Sequence, residues 1–118
     1  MGKIDDVTVA HLRGAVGMCG YDFDEVVGNH TNRRVYTDLR AVIWVIVQEE
    51  TGATAKAIGD RFGWNRSTVF SSLVKARELR EYDRDFRGLY DSVYGYYSYF
   101  EVKNGDKEGI EREDAGGA

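Results

Sequence analysis

The segment from Thr31 to Glu50 limits the fold more than any other. Val35, Leu39, Val42, Ile43, Ile46 and Val47 recur at i, i+3, i+4 spacing, and Gly52 stands just beyond the end. That is the stripe of an amphipathic helix with a glycine stop. Within it, Ala41 to Val47 is apolar without a break. A helix that is apolar on nearly all sides must be covered on nearly all sides, so this one is expected at the centre of other helices. Taken alone, AVIWVIV also fits a buried strand; the longer helical stripe around it argues for a helix. The chain has 118 residues and no proline, so the strongest helix breaker is missing and the class leans to all-α. That length suits one domain with a self-supporting core.

The remaining segments supply the covering helices. Asp5 to Met18 carries Val7, Val9, Leu12 and Val16 at helical spacing. GYDFDEVVGN suggests a short second helix with Asp22 as N-cap and Gly28 as terminator. Thr54 can cap a short helix ending near Phe62, with Gly63 as the turn, and Asn65 can cap the next helix to about Glu81, buried through Val69, Leu73, Ala76 and Leu79. Trp64 and Val69 then occupy the two positions of a hydrophobic staple. A last helix from Tyr82 to about Val102 aligns Phe86, Leu89, Val93, Tyr97 and Phe100, with Tyr90, Tyr94, Tyr96 and Tyr99 widening that face. The expected architecture is an all-α bundle of about six helices over residues 1–102, followed by a polar, glycine-rich, acidic tail over 103–118 read as disordered.

Residues 54–81 pass the spacing test for a helix-turn-helix. With Ala55 as the first position, apolar residues are wanted at the fourth, eighth, tenth and fifteenth, a small one at the fifth and glycine at the ninth. Ile58, Phe62, Trp64, Val69, Gly59 and Gly63 fill those slots. Small Gly59 permits close approach of the helices, and Gly63 relieves a left-handed turn. In such a motif the start of the second helix faces base edges. Here it presents Asn65, Arg66, Ser67 and Thr68, with Ser71 a turn further and Lys75 and Arg77 beyond. The arginine fork matches the two major-groove acceptors of guanine, hydroxyls serve bases or phosphates, and the helix N-terminus favours an anion. The alternative is a well-capped surface helix whose charges are only solvated.

The net charge of −4 argues against a nucleic-acid partner, but its distribution does not. Between Asp60 and Arg80, Arg61, Arg66, Lys75, Arg77 and Arg80 face only Asp60 and Glu78 as acids, whereas acids predominate from Lys103 onward. Other chemistries lack a pattern. Cys19 is the single cysteine and is read as a small buried residue; His11 and His30 lack metal-ligand spacing and are read as surface histidines. The acids of DFDE suit capping better than calcium binding. No nucleophile–base arrangement suggests an enzyme, no GxxxxGK[ST] loop suggests a nucleotide, and no cofactor is expected. The longest apolar run is far short of the roughly 20 residues of a membrane span. A cytoplasmic protein is expected by default.

The run RRVYTDLRAVIWVIVQEETGATAKAIGDRFGWNRSTVFSSLVKARELREYD resembles the C-terminal DNA-binding domain of the bacterial replication initiator DnaA. That family has a basic segment, an arginine-containing apolar helix, an IG..FG helix and a recognition helix beginning near DHSTV. The resemblance covers roughly Val7 to Tyr90. It implies that Asn65 stands at the family's aspartate and Arg66 at its histidine, with Ser67 and Thr68 as base-reading hydroxyls and Lys75 at a backbone-contacting position. It places Arg33 and Arg34 in the segment that reaches the minor groove. The chain departs from the family in a turn one residue shorter and in Asn–Arg for Asp–His. A stand-alone relative from a bacterium or phage, without the initiator's ATPase, is what the likeness implies.

Double-stranded DNA is therefore the expected partner. A helical interaction module that keeps the fold but binds protein is the alternative. The tyrosine-rich segment LYDSVYGYYSYF leaves three uses open: packing within the chain, a homodimer face, or stacking on unpaired bases. The tail offers little apolar surface to repay its ordering. Truncation at Asn104 should accordingly leave the melting temperature within a few degrees of the full chain; a larger drop would show that the tail packs.

Overall fold

The computed structural model describes residues 3–28, 31 and 33–103. They form six helices: α1 (Asp6–Met18), α2 (Phe23–Gly28), α3 (Arg34–Thr51), α4 (Ala55–Phe62), α5 (Arg66–Tyr82) and α6 (Arg84–Lys103). No strand occurs among the described residues, so AVIWVIV is helical. Every residue of α3 from Leu39 to Val47 is buried. This helix packs against α2, α4, α5 and α6, while α1 lies along α6 on the far side. The central position follows from the sequence: a segment without a polar face is stable only where neighbours cover it all round.

Local chemistry sets most helix ends. The Asp5 carboxylate accepts the Thr8 N–H at 2.9 Å, and the Thr54 hydroxyl accepts the Ala57 N–H at 3.1 Å. Gly52 and Gly63 end α3 and α4 in the left-handed region, with φ of 76° and 79°. Two starts differ from expectation. α3 begins at Arg34, not Thr31, because Arg33 is extended (φ −58°, ψ 138°). α6 begins at Arg84, not Tyr82, because Asp83 breaks the path with φ −109° and ψ 113°. Its N–H still bonds the Leu79 carbonyl at 2.8 Å, and its carboxylate accepts the Phe86 N–H at 2.9 Å. One residue thus closes α5 and opens α6. α6 runs through Lys103, one residue into the expected tail; residues 104–118 and His30 lie outside the described residues.

The face that α6 buries is rotated from the expected one. Phe86, Tyr90, Val93, Tyr97 and Glu101 are buried, whereas Leu89 and Phe100 are half-buried and Tyr99 is exposed. His11 is not a surface residue. It is 7% exposed, with its ring edge-on to Tyr97 at 6.0 Å. α1 must fit against a helix of aromatic rings, and a flat imidazole packs there. Val7, expected in the apolar stripe, is exposed, and Cys19 is half-buried against the core, where desolvation raises its thiol pKa.

Gly59 marks the closest approach in the helix-turn-helix. A Cβ there would fall against the backbone carbonyl oxygen of Trp64, which cannot swing away as a side chain could. The Gly59 carbonyl also accepts the N–H groups of Gly63 (2.8 Å) and Trp64 (2.9 Å), so the turn folds back directly over it. Gly59→Ala should destabilise the fold by about 1–3 kcal/mol in chemical denaturation, as overpacking does. This would reverse the gain of about 1 kcal/mol that alanine normally brings to a helix. A stabilised variant would mean that the turn relaxes freely.

Candidate nucleic-acid interface

The turn between α4 and α5 is held by side chains that tie it to α2 and α3. The carbonyls in the last turn of α2 have no partners within their own helix. Arg40, buried in α3, donates from Nη1 to the Val26 carbonyl (3.2 Å) and from Nη2 to the Thr31 carbonyl (2.8 Å). Trp64 donates from Nε1 to the Val27 carbonyl at 2.6 Å. The Arg40 guanidinium lies 4.7 Å from the Trp64 ring centroid, and the Trp44 ring meets Trp64 edge-on at 6.5 Å. Trp64 and Val69 belong to the same apolar cluster, as the staple spacing suggested. Trp64 also anchors the turn to α2, which the spacing did not indicate.

With Trp64 fixed, the start of α5 points into solvent. Asn65 caps the helix: its Oδ1 accepts the Ser67 N–H at 2.8 Å and the Ser67 hydroxyl at 2.7 Å. Ser67 thus commits its proton to the cap and offers only lone pairs outward. Asn65, Arg66, Ser67, Thr68, Ser71, Lys75 and Arg77 are all exposed. Ser67, Thr68, Ser71 and Lys75 turn toward α3, where they and Thr37 and Asp38 line a groove of about 370 Å³.

Ion pairing distinguishes the tip from its surroundings. Lys56 pairs with Asp60 (2.8 Å), Arg61 with Asp6 (3.1 Å) and Arg80 with Glu49 (3.0 Å). Among the described residues Arg66, Lys75 and Arg77 form no ion pair. Exposed pairs of this kind contribute little stability, but each neutralises a cation. The uncompensated positive charge on α5 is therefore carried by its outward face. Glu78, exposed on the same helix, limits that charge toward the C-terminal half.

Arg33 and Arg34 are not brought to this tip. Arg34 donates to Asp38 (2.9 Å) and to Asp83 (2.8 Å), the residue that follows the last turn of α5. The 17 residues of α5 span about 25 Å, so Arg34 lies at the opposite end of that helix from Arg66. Arg33 is exposed, its guanidinium 5.7 Å from the Tyr36 ring centroid. Phe70 and Val74, not among the expected contact residues, are 60% and 37% exposed on α5. The helical wheel held the signal: Val69, Leu73 and Ala76 define the buried side, and Phe70 and Val74 follow Arg66 at four-residue steps on another.

Among the described residues no three His, Cys, Asp or Glu side chains gather as a metal site, and no helix is long and apolar enough to cross a membrane. The class defined by these features is an all-helical bundle carrying a helix-turn-helix pair whose second helix exposes cations and hydroxyls. No protein-family model, curated protein or solved structure matches the chain.

Asp83 ties this frame together electrostatically. Its carboxyl is held below the ordinary aspartate range, first by the Phe86 N–H and then by Arg34. A depressed carboxylate contributes stability that is present above its unfolded pKa and lost as pH falls through the folded one. Asn at this position keeps the capping oxygen and loses the charge. Asp83→Asn should therefore be less stable than the parent at neutral pH, and the gap should close below about pH 4. A gap independent of pH in thermal melts would show that the charge contributes nothing.

Proposed function

We propose that this protein binds double-stranded DNA sequence-specifically, laying the first turns of α5 in the major groove. The observation that carries the reading is the set of cations Arg66, Lys75 and Arg77. They stand unpaired on the exposed second helix of a helix-turn-helix, while Lys56, Arg61 and Arg80 nearby are neutralised. Arg66, at the first helical position, is the candidate guanine reader. Thr68 and Ser71 can serve base edges or phosphates, and Lys75 is the candidate backbone contact. Asn65 and Ser67 serve chiefly as the cap that holds Arg66 in place.

The likeness of this stretch to the C-terminal domain of DnaA supports the same reading and suggests a relative of that domain acting in the cytoplasm of a bacterium or phage host. In that scheme Arg33 and Arg34 reach the neighbouring minor groove, and Arg34 exchanges its carboxylates for phosphates. Overall acidity is compatible with this function, since α5 carries no acidic residue before Glu78. A second reading has its own support. Met18 and Tyr99, each more than half exposed, line a hollow of about 480 Å³ between the end of α1 and α6. That surface suits a protein partner or a second copy of the chain.

Binding to duplexes selected from a random pool, at two salt concentrations, tests the proposal. Arg66→Ala should weaken the preferred site by about 1–3 kcal/mol and relax preference at one base pair. Lys75→Ala should weaken all duplexes alike and lower the salt slope by about 1. Both positions are exposed, so each variant should lose under about 0.5 kcal/mol of stability. If Arg66→Ala binds every duplex as the parent does, α5 is merely a capped surface helix.

A further inference from the structure

We propose that Phe70 reads the 5-methyl group of a thymine close to the guanine contacted by Arg66, an inference that rests on the DNA-binding reading above. Phe70 is the most exposed phenylalanine or tryptophan in the described chain, at 60%, and it stands one turn after Arg66 on the side of α5 that borders the start of α4. A large ring held in water gains free energy from any apolar surface that covers it. The major-groove edge of DNA presents one apolar group, the thymine methyl, and phenylalanine is among the residues that can contact it.

Geometry places the methyl near the base that Arg66 would read. Arg66 and Phe70 are one helical turn apart on adjoining surface, about 6 Å along the axis. Successive base pairs are about 3.4 Å apart, so the two side chains would reach positions within about two base pairs of each other. Arg66 and Phe70 also share one wall of a hollow of about 570 Å³ between the starts of α4 and α5, with Lys56 and Thr54 opposite. Val74 extends the apolar row by one more turn.

Charge decides between DNA and protein as the covering partner. The row is bordered by Arg66 and Arg77, which form no ion pair among the described residues and suit a polyanion. An apolar groove on another protein would leave those charges without counterparts. The methyl group is therefore the occupant that satisfies both the ring and its neighbours.

The test compares a duplex selected from a random pool with the same duplex carrying deoxyuridine for thymine, first throughout and then singly. The exchange removes the methyl and leaves the hydrogen-bonding edges intact. Parent protein should bind the uracil duplex about fourfold more weakly, the equivalent of one buried methylene. Phe70→Ala should bind both duplexes equally, and at the affinity of the parent for the uracil form or below it. Phe70→Leu, which keeps an apolar side chain, should restore part of the discrimination. Equal binding of both duplexes by the parent would overturn the inference and leave DNA binding intact. Discrimination that survives in Phe70→Ala would assign the methyl to another residue and also overturn it. If the parent binds no duplex at either salt concentration, the DNA-binding reading itself falls. If Phe70→Ala abolishes concentration-dependent self-association in sedimentation, the face belongs to a second copy of the chain and not to thymine.

Discussion

The arrangement depends on one buried cation. Arg40 lies in a helix that is otherwise apolar along its central turns, and it spans α2, the connection before α3, and the turn of the helix-turn-helix. Burial disfavours the charge and lowers the pKa, yet guanidinium stays protonated throughout the range in which proteins fold. Its planar fork can bond two carbonyls while its face lies on an indole, a combination that the compact ammonium of lysine cannot reproduce. Of the two carbonyls it serves, that of Val26 lies in the last turn of α2, where it has no donor within its own helix. The tip of α5 is thus aimed by a contact made well behind it, and the residues that would touch a ligand are relieved of structural work, apart from Asn65 and Ser67.

Distribution of charge matters more here than its sum. The chain is acidic overall, yet its acids are placed so that several cations flanking the tip have local partners. What remains uncompensated is small and directed. In the DNA-binding role proposed above, such a surface would attract a polyanion only over short distances and be screened at ordinary salt, so recognition would come from side-chain contacts made after arrival. That combination favours selectivity over bulk affinity.

Features set by near neighbours in the chain were legible from sequence. The caps at Thr54 and Asn65, the glycine stops at Gly52 and Gly63, and the small residue at Gly59 each follow from a rule acting over a few residues. The central place of α3 was legible too, because an unbroken apolar run leaves no solvent face. Features that depend on distant partners were not. Asp83 reads as an ordinary acid until Arg34, 49 residues earlier, is found beside it. His11 reads as a surface residue until Tyr97 covers it, and no near neighbour in the chain marks Glu101 as buried. Phe70 differs: its place one turn after Arg66, off the side of Val69, Leu73 and Ala76, is legible on the helical wheel, and the structure adds how far its ring is exposed.

The junction at Asp83 carries a constraint on chain length. Arg87 reaches back to the carbonyls of Arg80 (2.8 Å) and Glu81 (3.1 Å), and Arg80 lies 4.1 Å from the centroid of Tyr90, whose hydroxyl donates to Glu49 at 2.7 Å. These contacts cross from α5 to α6 over a single non-helical residue. Each residue of an α-helix turns the chain by about 100°, so one inserted or deleted there rotates every later side chain of α6 away from its partner. Surface residues on either helix are free to drift in identity, whereas the count of residues across the junction is not. In the vocabulary of gene change, the exposed positions on either side admit substitutions, whereas the junction itself rejects insertions and deletions.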